Sequence, residues 1–358
     1  MRLAAGPENG HAVSMTGDVV DGIDRATFGA VPSVKVNDWL RRHVRARLDT
    51  DLAEVLFRTG RVSAVYGLRL SDDSKVVVKV HRGHLDEGAT ASLTAAVDAQ
   101  RLLADAGYPC PTPLSEPAST DGLTATIETL LDDGAPGDAH QEGTRTAIAT
   151  SLAEQMQQLR ALPAALRKAL RDPPAWAIYQ QGPWPTPHDP IFDFTTTPDQ
   201  YAWLDEVADG AATLLTRPAA LSGERVVGHG DWYCGNLRFT TTGDAIKVAS
   251  AWDWDSLVCD VEPVIAGMAA ASFVDSSLSG AQCPTPEEAA AFLADYDAHR
   301  PRSFTAAEHV TAAAAVTWTL AYNARCQADV LAMGTQLPEG SVLSTLATDP
   351  AAYLNLPW

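Results

Sequence analysis

The sequence lacks paired cysteines and long apolar runs, and these absences narrow the class of protein. The five cysteines are scattered and form no CxxC pair: Cys110, Cys234, Cys259, Cys283 and Cys326. A disulfide framework or a zinc site is therefore not expected, and a reducing compartment fits. The N-terminus lacks the apolar core of a signal peptide, and the alanine-rich stretch 312–322 has polar flanks typical of a buried helix. We therefore expect a cytoplasmic protein that does not bind a membrane.

Basic residues are also scarce. The chain has 26 lysines and arginines against 45 aspartates and glutamates, which gives a formal net charge of −19. Such an acidic chain is not expected to bind nucleic-acid phosphates, and its charge is compatible with a cationic substrate. Many soluble proteins are acidic without such a ligand, so the charge alone decides nothing. The length of 358 residues allows one large domain or two lobes.

The first part of the chain has the pattern of a β-rich lobe. Residues 54–82 predict three strands, joined by a turn at 60–64 and a hairpin turn at 71–74. A helix at 88–106 is ended by Gly107, and a fourth strand covers 124–131. Lys79 alternates with valines in the third strand, so its side chain either faces solvent or reaches into a cleft. Residues 1–30 show no periodicity and are predicted to be a loose segment.

The rest of the chain has mainly helical patterns. Apolar spacing predicts helices at 144–162 and 201–215. Thr285 and Thr305 are each followed three residues later by glutamate, which is a capping box and marks a helix start. Only 226–252 is strand-like in this part. Strands first and helices later predict an α+β fold in two lobes, with the N-lobe at 31–131 and the C-lobe at 132–358.

Three polar residues stand out in the stretch 226–257. Asp231 follows a short apolar run, Asn236 lies five residues later, and Asp253 ends a second strand-like run. Two short strands flanking a turn would bring all three to one edge. Carboxylate and amide oxygens are ligands for Mg²⁺, and a carboxylate can accept the proton of a hydroxyl group. The spacing therefore indicates a phosphoryl-transfer site.

The motif GHGDWYCGN at 228–236, followed by AWDWD at 251–255, resembles the catalytic region of the aminoglycoside phosphotransferase and choline kinase group. These enzymes are small-molecule relatives of protein kinases, and their pattern is HGD, four residues, N, and a later D-W-[DE]. The resemblance covers roughly residues 54 to 330. It implies a two-lobed protein-kinase-like fold, with a small β-rich N-lobe that binds the nucleotide and a larger helical C-lobe that carries the catalytic loop and the acceptor site.

The resemblance also implies roles for residues around the motif. Asp231 would be the catalytic base or the carboxylate that orients the acceptor hydroxyl. Asn236 and Asp253 would ligate the Mg²⁺ ions that bridge the ATP phosphates. His229 would be structural and fix the loop backbone, and Asp255 would support the site.

In the N-lobe, the resemblance implies a nucleotide site. Lys79 would pair with the α- and β-phosphates, and the turn that contains Gly60 and Ser63 would cover the phosphates. Glu128 and Leu130 would present a backbone carbonyl and a backbone N–H to the adenine edge.

Three further acidic positions have alternative interpretations. Asp260 and Glu262 would either contact cations of the substrate or have surface or capping roles. The family's helix carries a glutamate that holds the strand lysine, but the matching position falls near Ala96. Either Asp98 substitutes for this glutamate, or Lys79 is held differently.

The sequence thus favours an ATP- and Mg²⁺-dependent kinase that phosphorylates a hydroxyl of a small, cationic molecule, such as an aminoglycoside-like antibiotic or an amino sugar. One alternative is a kinase for Ser or Thr of a peptide in a biosynthetic dehydratase pathway. In that case the aromatic loop at 172–194 would help to dock the peptide or a partner protein. A second alternative is a non-catalytic binding protein with a kinase-like fold.

Overall fold

The computed structural model describes residues 22–60, 62–170, 183–189, 191–243, 245–275 and 282–358. Contacts divide the chain into two compact units, and the division falls between Asp132 and Asp133. The predicted α+β class is confirmed, since the first unit is built on an antiparallel sheet and the second is mainly helical. None of the described helices is long and apolar enough to cross a membrane.

The first unit contains a five-stranded antiparallel sheet with the strand order β1-β2-β3-β5-β4. Its strands are β1 (Leu52–Gly60), β2 (Ala64–Leu70), β3 (Lys75–Val80), β4 (Ala118–Thr120) and β5 (Leu123–Thr129). Val76, Val78 and Val80 alternate along β3 and are almost completely buried. Because side chains alternate between the two faces of a strand, Lys79 lies on the face opposite these valines.

Three described α-helices belong to the same unit: α1 (Gly22–Phe28), α2 (Ser33–Leu48) and α3 (Glu87–Asp105). Helix α2 contributes Trp39 and Leu40 to the buried core that includes the β3 valines. The prediction that residues 1–30 form a loose segment is wrong for α1, and residues 1–21 lie outside the described part. Arg58 donates to the buried carboxylate of Asp24 over 3.1 Å, so a tertiary contact holds a helix that has no periodic signal.

The second unit holds eight described helices: α4 (Glu142–Leu159), α5 (Ala164–Ala169), α6 (Trp203–Leu215), α7 (Pro218–Leu221), α8 (Glu262–Ser272), α9 (Pro286–Ala298), α10 (Ala306–Ala332) and α11 (Val342–Leu346). The long helix α10 packs against α6, α8 and α11. Both predicted capping boxes are confirmed, at Thr285 with Glu288 and at Thr305 with Glu308.

Two antiparallel strand pairs carry the polar motif of the second unit. Their strands are β6 (Arg225–His229), β7 (Leu237–Thr242), β8 (Ala245–Ala251) and β9 (Leu257–Val261). Strand β6 pairs with β9, and β7 pairs with β8. The sequence predicted strands at 226–252, but β9 and the helix α8 that follows it were not predicted.

Candidate functional site

The loop after β6 is held close to β9. A Cβ atom on Gly230 would lie 2.8 Å from Val258 Cγ1 and 3.0 Å from Ser256 O, so a larger residue would push the loop away. The N–H of Gly230 donates to Ser256 O over 2.9 Å. These contacts fix the point at which Asp231 leaves the strand.

His229 connects this loop to the residue before Asp253. The N–H of Asp231 donates to His229 Nδ1 over 3.2 Å, and His229 Nε2 lies 3.0 Å from Trp252 O. These two partners assign a neutral ring with the proton on Nε2. The backbone N–H of His229 donates to the side chain of Gln155 on α4 over 3.2 Å. The buried imidazole therefore lies between the two halves of the motif.

Asn236 closes the same network from the other side. Its Nδ2 donates to Asp231 O over 3.0 Å and has a longer contact of 3.5 Å with Asp231 Oδ2. The N–H of Trp252 donates to Asn236 O over 3.1 Å, next to the β7–β8 pair Leu237 and Ala251. The amide nitrogen is thus engaged, which makes Oδ1 the candidate ligand atom.

Asp253 has a backbone conformation that is uncommon for a side-chain-bearing residue. Its φ of 72° and ψ of 41° place it in the left-handed region. Such a conformation costs roughly 1–2 kcal/mol and is often found at functional sites. Ser256 donates from Oγ to Asp253 Oδ2 over 3.1 Å. Asp255 lies in the half-buried turn that follows.

The structure therefore brings Asp231, Asn236 and Asp253 to one edge. We call these three residues, together with His229 and Trp252, the Asp231 edge. Their oxygen atoms fit a hard divalent cation such as Mg²⁺. Among the described residues, no group of three or more His, Cys, Asp or Glu is arranged to hold a metal. Mg²⁺ is commonly held by one or two protein groups together with substrate phosphates, and the donor set fits that mode.

Asp260 and Glu262 lie along β9 and at the start of α8, away from this edge. Asp260 is buried, and its Oδ1 accepts from the N–H of Val261 over 2.7 Å. Glu262 accepts from Arg300 Nε over 2.6 Å, from Arg160 Nη2 over 2.8 Å and from the Tyr296 hydroxyl over 2.8 Å. These contacts favour the capping and structural alternative over contact with a substrate cation.

We call Glu262, Arg160, Arg300 and Tyr296 the Glu262 cluster. Burial would raise the pKa of Glu262, but the hydrogen bond and charge of Arg300, with help from Tyr296 and Arg160, outweigh it and hold this pKa below its usual value. The cluster borders a cavity of about 350 Å³ that also includes Gly223 and Glu224, just before β6. This cavity is thus at the opposite end of β6 from Asp231, and we do not assign the chemistry to it.

In the first unit, Lys79 lies on the central strand β3 and is half-buried. It is paired with Val65 of β2 and Thr126 of β5. The turn between β1 and β2 is tight, because Gly60 has a φ of 134° and a Cβ there would lie 2.0 Å from Ser63 O. Ser63 is buried in this turn, and Arg61 lies outside the described residues.

The predicted adenine contacts require a correction. The N–H of Leu130 donates to Lys75 O over 3.0 Å, as the last bond between β5 and β3, so it is not available to an adenine edge. Glu128 is paired with Val77 in the same ladder. Since hydrogen-bonded pairs alternate along an antiparallel ladder, the backbone of Glu128 is engaged as well. The predicted adenine contact of the Leu130 N–H is therefore wrong.

The helix α3 has no glutamate at the expected position. Ala96 is buried, and Asp98 accepts from Arg101 Nη1 over 2.7 Å on the same helix. The Glu128 side chain accepts from Gln100 Nε2 over 2.7 Å. Gln155 was not predicted from the sequence. The pattern that could have revealed it is a polar residue within the apolar face of α4.

Comparisons with known proteins identify a family and a fold for this chain. The model of the phosphotransferase enzyme family (APH) matches residues 54–260. No curated protein sequence gives a significant match. An amicoumacin kinase solved in complex with AMP-PNP, Ca²⁺ and Ami is 12% identical, with a TM-score of 0.60 over 90% of this chain and 95% of that chain.

Two other solved structures have the same fold. A microcompartment-associated aminopropanol kinase is 16% identical, with a TM-score of 0.55 over 88% of this chain and 94% of that chain. A choline/ethanolamine kinase family protein from Mesorhizobium loti is 14% identical, with a TM-score of 0.53 over 89% of this chain and 95% of that chain. The predicted kinase-like fold is therefore confirmed.

Proposed function

The chain belongs to the phosphotransferase enzyme family, and from this premise we propose that it transfers the γ-phosphate of ATP to a hydroxyl group of a small, cationic molecule in a Mg²⁺-dependent reaction. The observation that carries the proposal is the network around His229. In this network His229 accepts from the Asp231 N–H and contacts the carbonyl of Trp252, the residue before Asp253, and the Asn236 amide donates to Asp231 O. The network therefore joins the proposed base to both proposed metal ligands. Family membership makes the chain an enzyme, so the non-catalytic alternative is dropped.

In this proposal, Asp231 accepts the proton of the acceptor hydroxyl. The hydroxyl oxygen bonds to the γ-phosphorus, and the bond from that phosphorus to the bridging oxygen of ADP breaks. Positioning matters more than basicity in such a transfer. Asn236 holds the Asp231 backbone through a bond of 3.0 Å, and His229 holds its N–H. The backbone of Asp231 is therefore restrained from both sides.

Asn236 Oδ1 and the Asp253 carboxylate are the proposed metal ligands. A divalent cation bound by these atoms would neutralise part of the negative charge of the phosphates. The amicoumacin kinase of similar fold was solved with AMP-PNP and Ca²⁺, which supports a nucleotide and a divalent cation here. In the first unit, we propose that Lys79 contacts the α- and β-phosphates and that the turn with Gly60 and Ser63 covers the phosphates. The adenine contacts then fall after Leu130, where the ladder has ended.

A cationic acceptor is supported by the charge of −19 and by the names of two similar structures, an aminopropanol kinase and a choline/ethanolamine kinase family protein. Aminoglycosides and amino sugars share the combination of amine and hydroxyl. The peptide alternative relied on the loop 172–194, of which 172–182 and 190 lie outside the described residues. No described residue favours it. All five cysteines are buried and none is paired in a disulfide, which supports a location in the reducing cytoplasm.

A phosphate-transfer screen tests this proposal. Wild-type protein with Mg·ATP would be incubated with aminoglycosides, amino sugars, amino alcohols and serine-containing peptides, and the products examined by mass spectrometry for one added phosphate. We expect a product only among the amine-bearing small molecules, and none when Mg²⁺ is replaced by EDTA. Phosphorylation confined to the peptides, or a product that forms without a divalent cation, would contradict the proposal.

A further inference from the structure

Strand β6 leaves one backbone donor of the Asp231 edge turned away from the β6–β9 pair. Among the described strands, β9 is the one neighbour of β6. The N–H of Gly230 donates to Ser256 O, and hydrogen-bonded pairs alternate with non-hydrogen-bonded pairs along an antiparallel ladder. His229, which is opposite Leu257, therefore belongs to a non-hydrogen-bonded pair. Its N–H points to the side of β6 on which no described strand lies.

This N–H is buried and needs a partner outside the sheet. His229 is 1% exposed, and an unpaired donor at such a position costs free energy. Gln155 of α4 is the partner, because its Oε1 accepts from the His229 N–H over 3.2 Å. Helix α4 lies close to the strand here, since a Cβ atom on Gly228 would be 3.0 Å from Met156 Cγ. The absence of a side chain at Gly228 thus lets α4 come near enough for Gln155 to reach the backbone.

The same helix also holds the other side of Asp231. Trp232 is buried, and its indole N–H donates to Ile148 O of α4 over 3.0 Å. Ile148 and Gln155 are seven positions apart on α4, which is about two helical turns, so both lie on the same face. Helix α4 therefore bonds to the loop on both sides of Asp231.

The amide of Gln155 is costly for the fold. Gln155 is fully buried, and its Nε2 has no hydrogen-bond partner among the described residues. A buried amide with an unpaired donor costs free energy, which an apolar side chain of similar size, such as methionine, avoids. The described bond that the side chain makes is the one to the His229 N–H. The polar group therefore serves the position of the loop and not the packing of α4.

We propose that Gln155 is a positioning residue for the phosphate transfer and acts on Asp231 through the backbone of His229. This inference rests on the proposed function and adds to it a residue outside the motif. His229 Nδ1 accepts from the Asp231 N–H over 3.2 Å, so a shift of His229 would move the Asp231 carboxylate relative to the acceptor hydroxyl. Because phosphate transfer depends on geometry, such a shift should lower its rate. The proposed metal ligands Asn236 and Asp253 flank the β7–β8 pair, so nucleotide affinity should change little.

Two substitutions of Gln155 test this role. Gln155→Met keeps the size of the side chain but has no acceptor, whereas Gln155→Glu keeps an oxygen that accepts in either protonation state. With the acceptor found by the screen, we expect kcat of Gln155→Met to fall about tenfold, with KM for Mg·ATP and the dissociation constant of Mg·ADP within about twofold of wild type. Gln155→Glu should recover most of kcat. The control Gln157→Met, at an exposed position of the same helix, should keep wild-type kcat.

Hydrogen exchange provides a second readout that does not depend on the acceptor. Measured by NMR, the His229 amide should exchange about tenfold faster in Gln155→Met than in wild type, while the Gly230 amide keeps its protection. The unfolding temperature of Gln155→Met should stay close to that of wild type, because the substitution removes an unpaired donor together with a hydrogen bond.

Three kinetic results would overturn the inference. The first is wild-type kcat in folded Gln155→Met, and the second is a raised KM for Mg·ATP at unchanged kcat. The third is an equal loss of kcat in Gln155→Met and Gln155→Glu, which would mean that the acceptor oxygen does not matter. If the wild type phosphorylated no acceptor, the proposed function would fail and the role of Gln155 in transfer with it. The hydrogen exchange would still show whether Gln155 holds the His229 N–H.

Discussion

The two ends of the β6–β9 pair hold carboxylates in different ways. At the Asp231 edge, the backbone and neutral side chains provide the positioning bonds, from His229, Asn236 and Ser256. In the Glu262 cluster, two arginines and a tyrosine hydroxyl surround one carboxylate. A carboxylate enclosed by arginines stabilises the fold, whereas Asp231 and Asp253 are positioned without any arginine bond among those described. We therefore expect substitutions at the Asp231 edge to lower activity and substitutions in the Glu262 cluster to lower stability.

The largest expected effect is on activity, from Asp253→Asn. Loss of the metal-binding charge should lower kcat/KM about a thousandfold, since metal neutralisation of the phosphates contributes several kcal/mol. The unfolding temperature should stay within about 2 °C, because Asn tolerates the left-handed backbone. A matched control is Asp121→Asn, which changes another aspartate of positive φ, at 51°, on the surface of the first unit. If metal-dependent activity survived in Asp253→Asn, the assignment of function to the Asp231 edge would be contradicted.

The next effect is on stability, from Glu262→Gln. The change leaves Arg300 and Arg160 without their shared charge and should lower the free energy of unfolding by about 3 kcal/mol. The control Glu224→Gln removes an exposed partner of Arg160 and should cost less than about 1 kcal/mol. Denaturant titration measures both. If Glu262→Gln abolished activity at full stability, Glu262 would be a substrate contact after all.

Whether the sequence could predict the features of these two ends depends on how far apart the interacting residues lie in the sequence. The capping boxes at Thr285 and Thr305 are local, and the motif around Asp231 lies within one short stretch, so both were predictable. Strand β9 has no alternation, because all of its residues are buried, and α8 is buried on every side, so neither carried a periodic signal.

The Glu262 cluster joins residues that are far apart in the sequence, with Arg160 102 positions before Glu262. No spacing pattern relates such residues, so its contacts could not be predicted. The adenine contact at Leu130 was placed wrongly because the β3–β5 register decides which N–H groups are engaged. Register depends on the tertiary fold.

The smallest effect is on the pH dependence of stability beside the Glu262 cluster. Hydrogen bonds from Arg302 lower the pKa of Glu308 from 4.5 to about 2. A lowered folded-state pKa stabilises the fold above the unfolded value near 4.5, and this contribution is lost as the pH falls from 4.5 towards 2. Because the Arg302 side chain is exposed, solvent screening limits this contribution to about 1 kcal/mol. Glu308→Gln keeps the capping box but not the charge, so its stability should fall less between pH 5 and 3, by denaturant titration. An identical fall in both proteins would contradict this.

The most direct measurement is the rate of phosphate transfer by Asp231→Asn, once the screen has supplied an acceptor. Asn keeps the shape of the side chain but accepts no proton, so we expect kcat to fall about a thousandfold, with Mg·ADP affinity and unfolding temperature unchanged. The control Asp209→Asn, at an exposed position on α6, should retain wild-type kcat. Wild-type kcat in Asp231→Asn would contradict the assignment of this edge as the catalytic site.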